Sequence, residues 1–213
     1  MLHAKGLVMN DLDFAALLVS RVCHDLVSPV GAVVNGLEVL EDETDLEMRA
    51  DALRLVASSA EQAAARLQFC RIAFGAAGSA GAELDLNEVG RIMTGLMKGG
   101  RVELVWHGQS ANWPKDWAKL LMNAVLAAAD CLPRGGRVTA ETSGNSAAPA
   151  FRVTGTGMVV RLSPETEQAL AGEPTGLLDG RSIQPYLTYQ LGKNLNAGLR
   201  VASAPTEVSF VAG

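Results

Sequence analysis

Between residues 11 and 42 the apolar positions Leu12, Ala16, Val19, Cys23, Leu26, Val30, Val33, Leu37 and Leu40 alternate in steps of four and three. That is an unbroken heptad seam, and it predicts one long helix. Asn10 is placed to cap it, with Asp11 and Asp13 in the first turn, where the helix dipole favours negative charge. A capping-box sequence, Thr44-Asp-Leu-Glu47, opens a second helix. Its apolar positions are Leu46, Ala50, Leu53, Ala57, Ala60, Ala64, Leu67 and Phe74. Only Glu41–Glu43 lies between the two helices, and so short a link makes them an antiparallel hairpin. Helices of roughly 30 residues are ~45 Å long, and two of them cannot enclose a core. Leu18, Val22, Val34, Met48 and Val56 are left over as apolar surface. A second copy covering them makes a homodimeric four-helix bundle; the alternative is that they pack on the rest of the same chain.

The pattern changes after Gly75-Ala-Ala-Gly-Ser-Ala-Gly81, a run of small residues without apolar periodicity. The expected division is a helical hairpin domain over residues 1–76 and a second domain over 82–213. In the second, Asp85–Lys98 reads as a helix and Arg101–His107 as a strand. A helix follows Pro114 and runs to about Asp130. Gly136–Thr142, Phe151–Thr154 and Val159–Leu162 read as strands, and Pro164–Ala171 and Ser182–Ala197 as helices. Leu199–Ser203 and Glu207–Val211 form a terminal hairpin. The fold class is α+β, with a mixed sheet carrying its helices on one face.

Composition narrows the function. Of 213 residues 48% are hydrophobic and 19% charged, with a net charge of −5, which excludes a disordered chain and argues against nucleic acid as a partner. No uncharged run reaches the ~18–20 residues of a membrane span, and no signal peptide is visible. Cys23, Cys70 and Cys131 are odd in number and far apart, as expected of a reducing cytoplasm rather than of disulfides or zinc.

Three histidines are present. His3 is terminal and His107 ends a strand, whereas His24 sits mid-helix, one residue past the seam position Cys23, at the edge of the packed stripe. Pro29, one turn on, removes the N–H that would bond the Asp25 carbonyl, at a cost of about 3 kcal/mol. An exposed histidine beside so costly a residue suggests a site. Imidazole, with an ordinary pKa of about 6.5, is mostly neutral at pH 7 and offers a nucleophilic nitrogen. Asp25 can accept from Nδ1–H and leave Nε2 to attack. Arg21, one turn back, can meet phosphate charge or lie solvated on the surface.

His24-Asp-Leu-Val-Ser28-Pro29 resembles the H-box of the histidine-kinase phosphoacceptor domain, H-[DE]-L-x-[ST]-P. The stretch continuing to Leu40, with Phe69-Cys-Arg-Ile-Ala-Phe-Gly75, is similar to the ChpT-type histidine phosphotransferases of alphaproteobacterial cell-cycle phosphorelays. The second domain resembles a degenerate kinase catalytic domain of the Bergerat type. Lys119-Leu-Leu-Met-Asn123 matches the N-box with lysine in place of its acid, leaving Asn123 as a vestige. Val153-Thr-Gly155-Thr-Gly157 has valine where the adenine-binding aspartate belongs, and Arg181-Ser-Ile-Gln-Pro185 stands where a glycine-rich phosphate loop belongs.

The resemblance implies a phosphotransferase that works through phosphohistidine on His24, with no ATP and no metal of its own. Magnesium is expected on the partner receiver. The implied partners are the receiver of a hybrid histidine kinase and response regulators of the CtrA and CpdR kind, with no membrane involved. The strip Val27, Gly31, Val34, Asn35 and Glu38 is the expected receiver-docking surface. Two rival readings remain at this point: a divergent ATP-dependent histidine kinase, and a pseudokinase adaptor that is not phosphorylated.

Overall fold

The computed structural model describes residues 10–75, 82–174 and 178–213. Helix α1 (Asp11–Asp42) starts where the Asn10 side chain accepts from the Asp13 backbone N–H at 2.8 Å, as expected. Helix α2 (Leu46–Ala73) is capped by Asp45 rather than Thr44: its carboxylate accepts from the N–H groups of Glu47 and Met48. The turn between the helices is closed by side chains. Glu43 accepts from the N–H groups of Thr44 and Asp45, and Arg49 donates to the carbonyls of Leu40 and Glu43. These bonds satisfy carbonyls that the end of α1 would otherwise leave open.

The hairpin interior coincides with the expected seam only in part, at Leu26, Val33 and Leu40. Val22, Leu26, Pro29, Val33, Gly36 and Leu40 are the positions of α1 turned inward, and Ala52, Val56, Ser59 and Cys70 those of α2. Gly36 is the closest approach: a Cβ there would lie 2.6 Å from Val56 Cγ2. The seam residues Leu12, Val19, Val30, Leu37, Leu46, Leu53 and Leu67 instead remain between 49% and 82% exposed. A helix destined for a bundle has two adjacent apolar stripes, and periodicity alone does not say which neighbour covers which. Of the expected leftover residues, Val34 and Met48 are exposed, whereas Val22 packs on the core of the second half and Val56 faces Gly36. With both stripes apolar, α1 is long and apolar enough, by length and composition, to cross a membrane. Arg21 and Asp25 interrupt this stretch, so it contains no long uncharged run.

The second half is the expected α+β layer. Its main sheet has the order β2 (Val102–His107), β4 (Gly136–Asn145), β5 (Ala148–Thr156), β7 (Glu207–Ala212), β6 (Arg200–Ala204). β2 and β4 are parallel and the other pairs antiparallel. Val138 and Ala140, Phe151 and Val153, and Val208 and Phe210 are buried while their alternates are not, so one face is covered. Helices α3 (Leu86–Met97), α4 (Lys115–Asp130), α5 (Pro164–Ala171) and α6 (Ile183–Asn194) complete the layer. α4 is buried along most of its length. Phe69, Cys70, Ile72 and Ala73 of α2 join the same core, so the hairpin is rooted in the second half.

Several boundaries move. Val159–Leu162 is not a strand: the Val160 N–H bonds the Pro205 carbonyl and that of Arg161 the Cys131 carbonyl, so no ladder forms. β1 (Glu83–Asp85) and β3 (Asn112–Pro114) pair antiparallel, each too short to leave an alternation in the sequence. α6 ends at Asn194 because Asn196 and Gly198 take φ of 49° and 56°. His3 and residues 76–81 of the expected linker lie outside the described residues.

Candidate functional site

His24 projects from α1 with its side chain 79% exposed, a freer position than the seam edge predicted. Its Nδ1 lies 3.3 Å from Asp25 Oδ1. A carboxylate only accepts, so this contact assigns the proton to Nδ1 and leaves the Nε2 lone pair toward solvent. Asp25 is 17% exposed, and its second oxygen, Oδ2, accepts from Arg21 Nε at 2.9 Å.

The Arg21 guanidinium is tied to protein partners. Its side chain is 13% exposed and turned into the seam between α1 and the second half. There it meets Asp130 Oδ2 at 3.6 Å and donates to the Gly180 carbonyl at 3.4 Å. Burial opposes its charge, but the hydrogen bond to Asp25 and the charge of Asp130 outweigh burial and hold the guanidinium more firmly protonated. Desolvation by the surrounding protein, with the like charge of Asp25, pushes the Asp130 carboxyl up, against the pull of Arg21. Asp130 and Gly180 had no signal in the sequence; only the approach of α4 and the loop before α6 to α1 brings them here.

Beside His24 opens a cleft of 590 Å³, walled by Arg21 and Asp25 on α1, Asp130 on α4, Thr166 on α5, and Arg181 and Gln184 around the start of α6. The loop carrying Arg181 is pinned by Asp179, which accepts from the Ser182 and Arg181 N–H groups and the Ser182 hydroxyl. Those bonds hold its carboxyl below the usual carboxylate range. On the other side of His24, towards the hairpin turn, Val27, Ser28, Val34, Asn35 and Glu38 are exposed. Nothing lies within 4 Å of where a Gly31 Cβ would stand. Pro29 is off this strip, buried against α2 in an uninterrupted helix. Among the described residues no three His, Cys, Asp or Glu side chains gather as a metal site.

The histidine phosphotransferase C-terminal domain family matches residues 86–207. The chain is 38% identical over 205 residues to the protein phosphotransferase ChpT of Brucella abortus (strain 2308), covering 96% of this chain and 97% of that one. This chain belongs to the histidine phosphotransferase family. It also superposes on the 1.7 Å structure of a bacterial phosphotransferase with a TM-score of 0.87 and 35% identity, over 98% of this chain and 99% of the other.

In this histidine phosphotransferase the residues that echo a nucleotide site have structural partners. Asn123 is fully buried. Its Nδ2 donates to the Lys119 carbonyl at 2.9 Å and the Ala73 carbonyl at 3.4 Å, and its Oδ1 accepts from Gln184 Nε2 at 3.0 Å. One side chain thus ties α4 to the end of α2 and the start of α6. Lys119, in the position of the N-box acid, is buried with its Nζ 3.5 Å from Asp116. Val153 is part of the core. A Cβ on Gly155 would stand 3.0 Å from Val208 and 3.2 Å from the Ala128 carbonyl, and one on Gly157 2.9 Å from the Gly135 carbonyl. Close packing therefore accounts for both glycines. Asn123→Ala is expected to cost about 1–3 kcal/mol, since buried groups on three elements lose partners. Urea unfolding monitored by circular dichroism measures it, and an unchanged midpoint would refute the structural role.

Proposed function

We propose that this histidine phosphotransferase takes a phosphoryl group from the receiver aspartate of a hybrid histidine kinase onto His24. It then passes the group to the receivers of response regulators of the CtrA and CpdR kind, in the cytoplasm and as part of cell-cycle control. The observation that carries the reading is the exposed His24 with Nδ1 against Asp25 and Nε2 open to solvent. The Nε2 lone pair attacks the phosphorus of the aspartyl phosphate, the P–O bond breaks, and the receiver's carboxylate leaves with the electron pair. Return transfer reverses the step, with magnesium expected on the receiver. Passage through two receivers tests it. Label on one phosphorylated receiver should appear on this chain and then on a second receiver, and label that never leaves the first receiver would refute the relay.

The kinase rival is disfavoured by Asn123, whose amide oxygen is occupied by Gln184, and by Val153 in the core. Calorimetry with magnesium and ATP is expected to give no binding heat, and micromolar affinity would restore that rival.

The working unit we propose is a homodimer. Val19, Val30, Leu37, Leu53 and Leu67 leave an apolar stripe on the hairpin that a second hairpin would cover. Cys23 is exposed on that stripe, whereas burial pushes the Cys70 and Cys131 thiols up to about 11. Light scattering at micromolar concentration is expected to give about twice the 22.3 kDa chain mass. Alkylation of Cys23 should slow as concentration rises. A 22.3 kDa species with a concentration-independent Cys23 would contradict the dimer.

A further inference from the structure

We propose that Arg21 is a positioning residue for phosphoryl transfer, anchored by Asp130 and the Gly180 carbonyl, so that the C-terminal half sets the geometry of the His24–Asp25 pair. This rests on His24 being the phosphoacceptor.

The two oxygens of Asp25 are divided, Oδ1 to His24 at 3.3 Å and Oδ2 to Arg21 at 2.9 Å. Without the second bond, an aspartate on a helix surface samples several rotamers, and its hold on the imidazole tautomer goes with them. Arg21 is itself held from two elements of the other half, by Asp130 at the end of α4 and by Gly180 before α6. At 13% exposure, and with its guanidinium held by Asp25, Asp130 and the Gly180 carbonyl, Arg21 acts on the reaction through Asp25 even though it lines the cleft beside His24.

Charge gives Asp130 its part in this arrangement, whereas Arg21 acts by geometry. As the N–P bond forms and the P–O bond to the receiver aspartate breaks, the imidazole keeps its Nδ1–H and becomes cationic. Asp25 offsets that charge only if it is not already fully neutralised. One guanidinium shared between Asp25 and Asp130 leaves the cluster with net negative charge beside the ring. Removing Asp130 leaves Arg21 to Asp25 alone and weakens the field at His24. A half that has given up the residues of a nucleotide site thereby keeps a task in the reaction.

The test uses the full chain and a phosphorylated receiver in single-turnover quench experiments, with nitrogen NMR of the His24 imidazole. Arg21→Ala should slow the transfer step by about tenfold or more, leave the receiver concentration for half-maximal rate nearly unchanged, and mix the ring tautomers. Arg21→Lys should restore part of the rate, because it keeps the charge but loses the fork. Asp130→Asn, nearly isosteric and half-exposed, should slow the same step by about threefold. If Arg21→Ala does not fold, Asp130→Asn alone decides. Wild-type rates with unchanged tautomers in both variants would overturn the proposal, as would a change confined to receiver affinity. Absence of label on His24 of the unmodified chain would instead remove the reading beneath it.

Discussion

His24→Ala is expected to accept no phosphoryl group, with transfer at least about a thousandfold below that of the unmodified chain. The fold should not suffer, because the His24 side chain is 79% exposed and alanine is the better helix former. The change removes both the Nδ1 that meets Asp25 and the Nε2 that is open to attack. His107 cannot substitute, standing at the end of the edge strand β2. Equal labelling of the variant, with normal circular dichroism and elution, would show that another group is the acceptor.

Gly31→Trp should abolish transfer by a different route. Nothing lies within 4 Å of a Cβ at Gly31, so the ring would project into solvent rather than into the hairpin. It would stand one heptad from His24, on the strip of Val27, Ser28, Val34, Asn35 and Glu38, all exposed. Transient complexes often bury under ~1,200 Å², and one indole in the middle of such a surface is enough to prevent docking. Asp51→Ala provides the contrast. Asp51 pairs with Arg54 on the exposed side of α2, and its removal should change transfer little. A Gly31→Trp chain that folds, elutes normally and transfers at the original rate would place the receiver elsewhere, the cleft wall around Arg181 being the next surface to probe.

Much of this was legible in the sequence because it is encoded locally. Asn10, the Glu41–Glu43 link and the heptads specify the hairpin, and His24-Asp25 with Pro29 marks the site within six residues. What was not legible depends on which surface meets which. Only part of the heptad seam, Leu26, Val33 and Leu40, turns inward, while Leu12, Val19, Val30 and Leu37 form the uncovered stripe, because two adjacent apolar stripes read alike in one dimension. The sequence leaves Arg21 outward, to meet phosphate or solvent; besides Asp25, its partners are 109 and 159 positions away, at Asp130 and Gly180. Asn123 reads as a vestige because its motif lacks the acid, while two of its hydrogen-bond partners, Ala73 and Gln184, lie on elements no motif connects to it.

The central claim concerns a bond between phosphorus and a ring nitrogen of His24. The most direct measurement is phosphorus NMR of the chain after reaction with a phosphorylated receiver, followed by acid and alkali treatment and mapping of the labelled peptide. The account predicts a phosphoramidate resonance that is lost in acid, survives alkali, and maps to the peptide containing His24. A resonance that survives acid, or one that maps to any other residue, would contradict it.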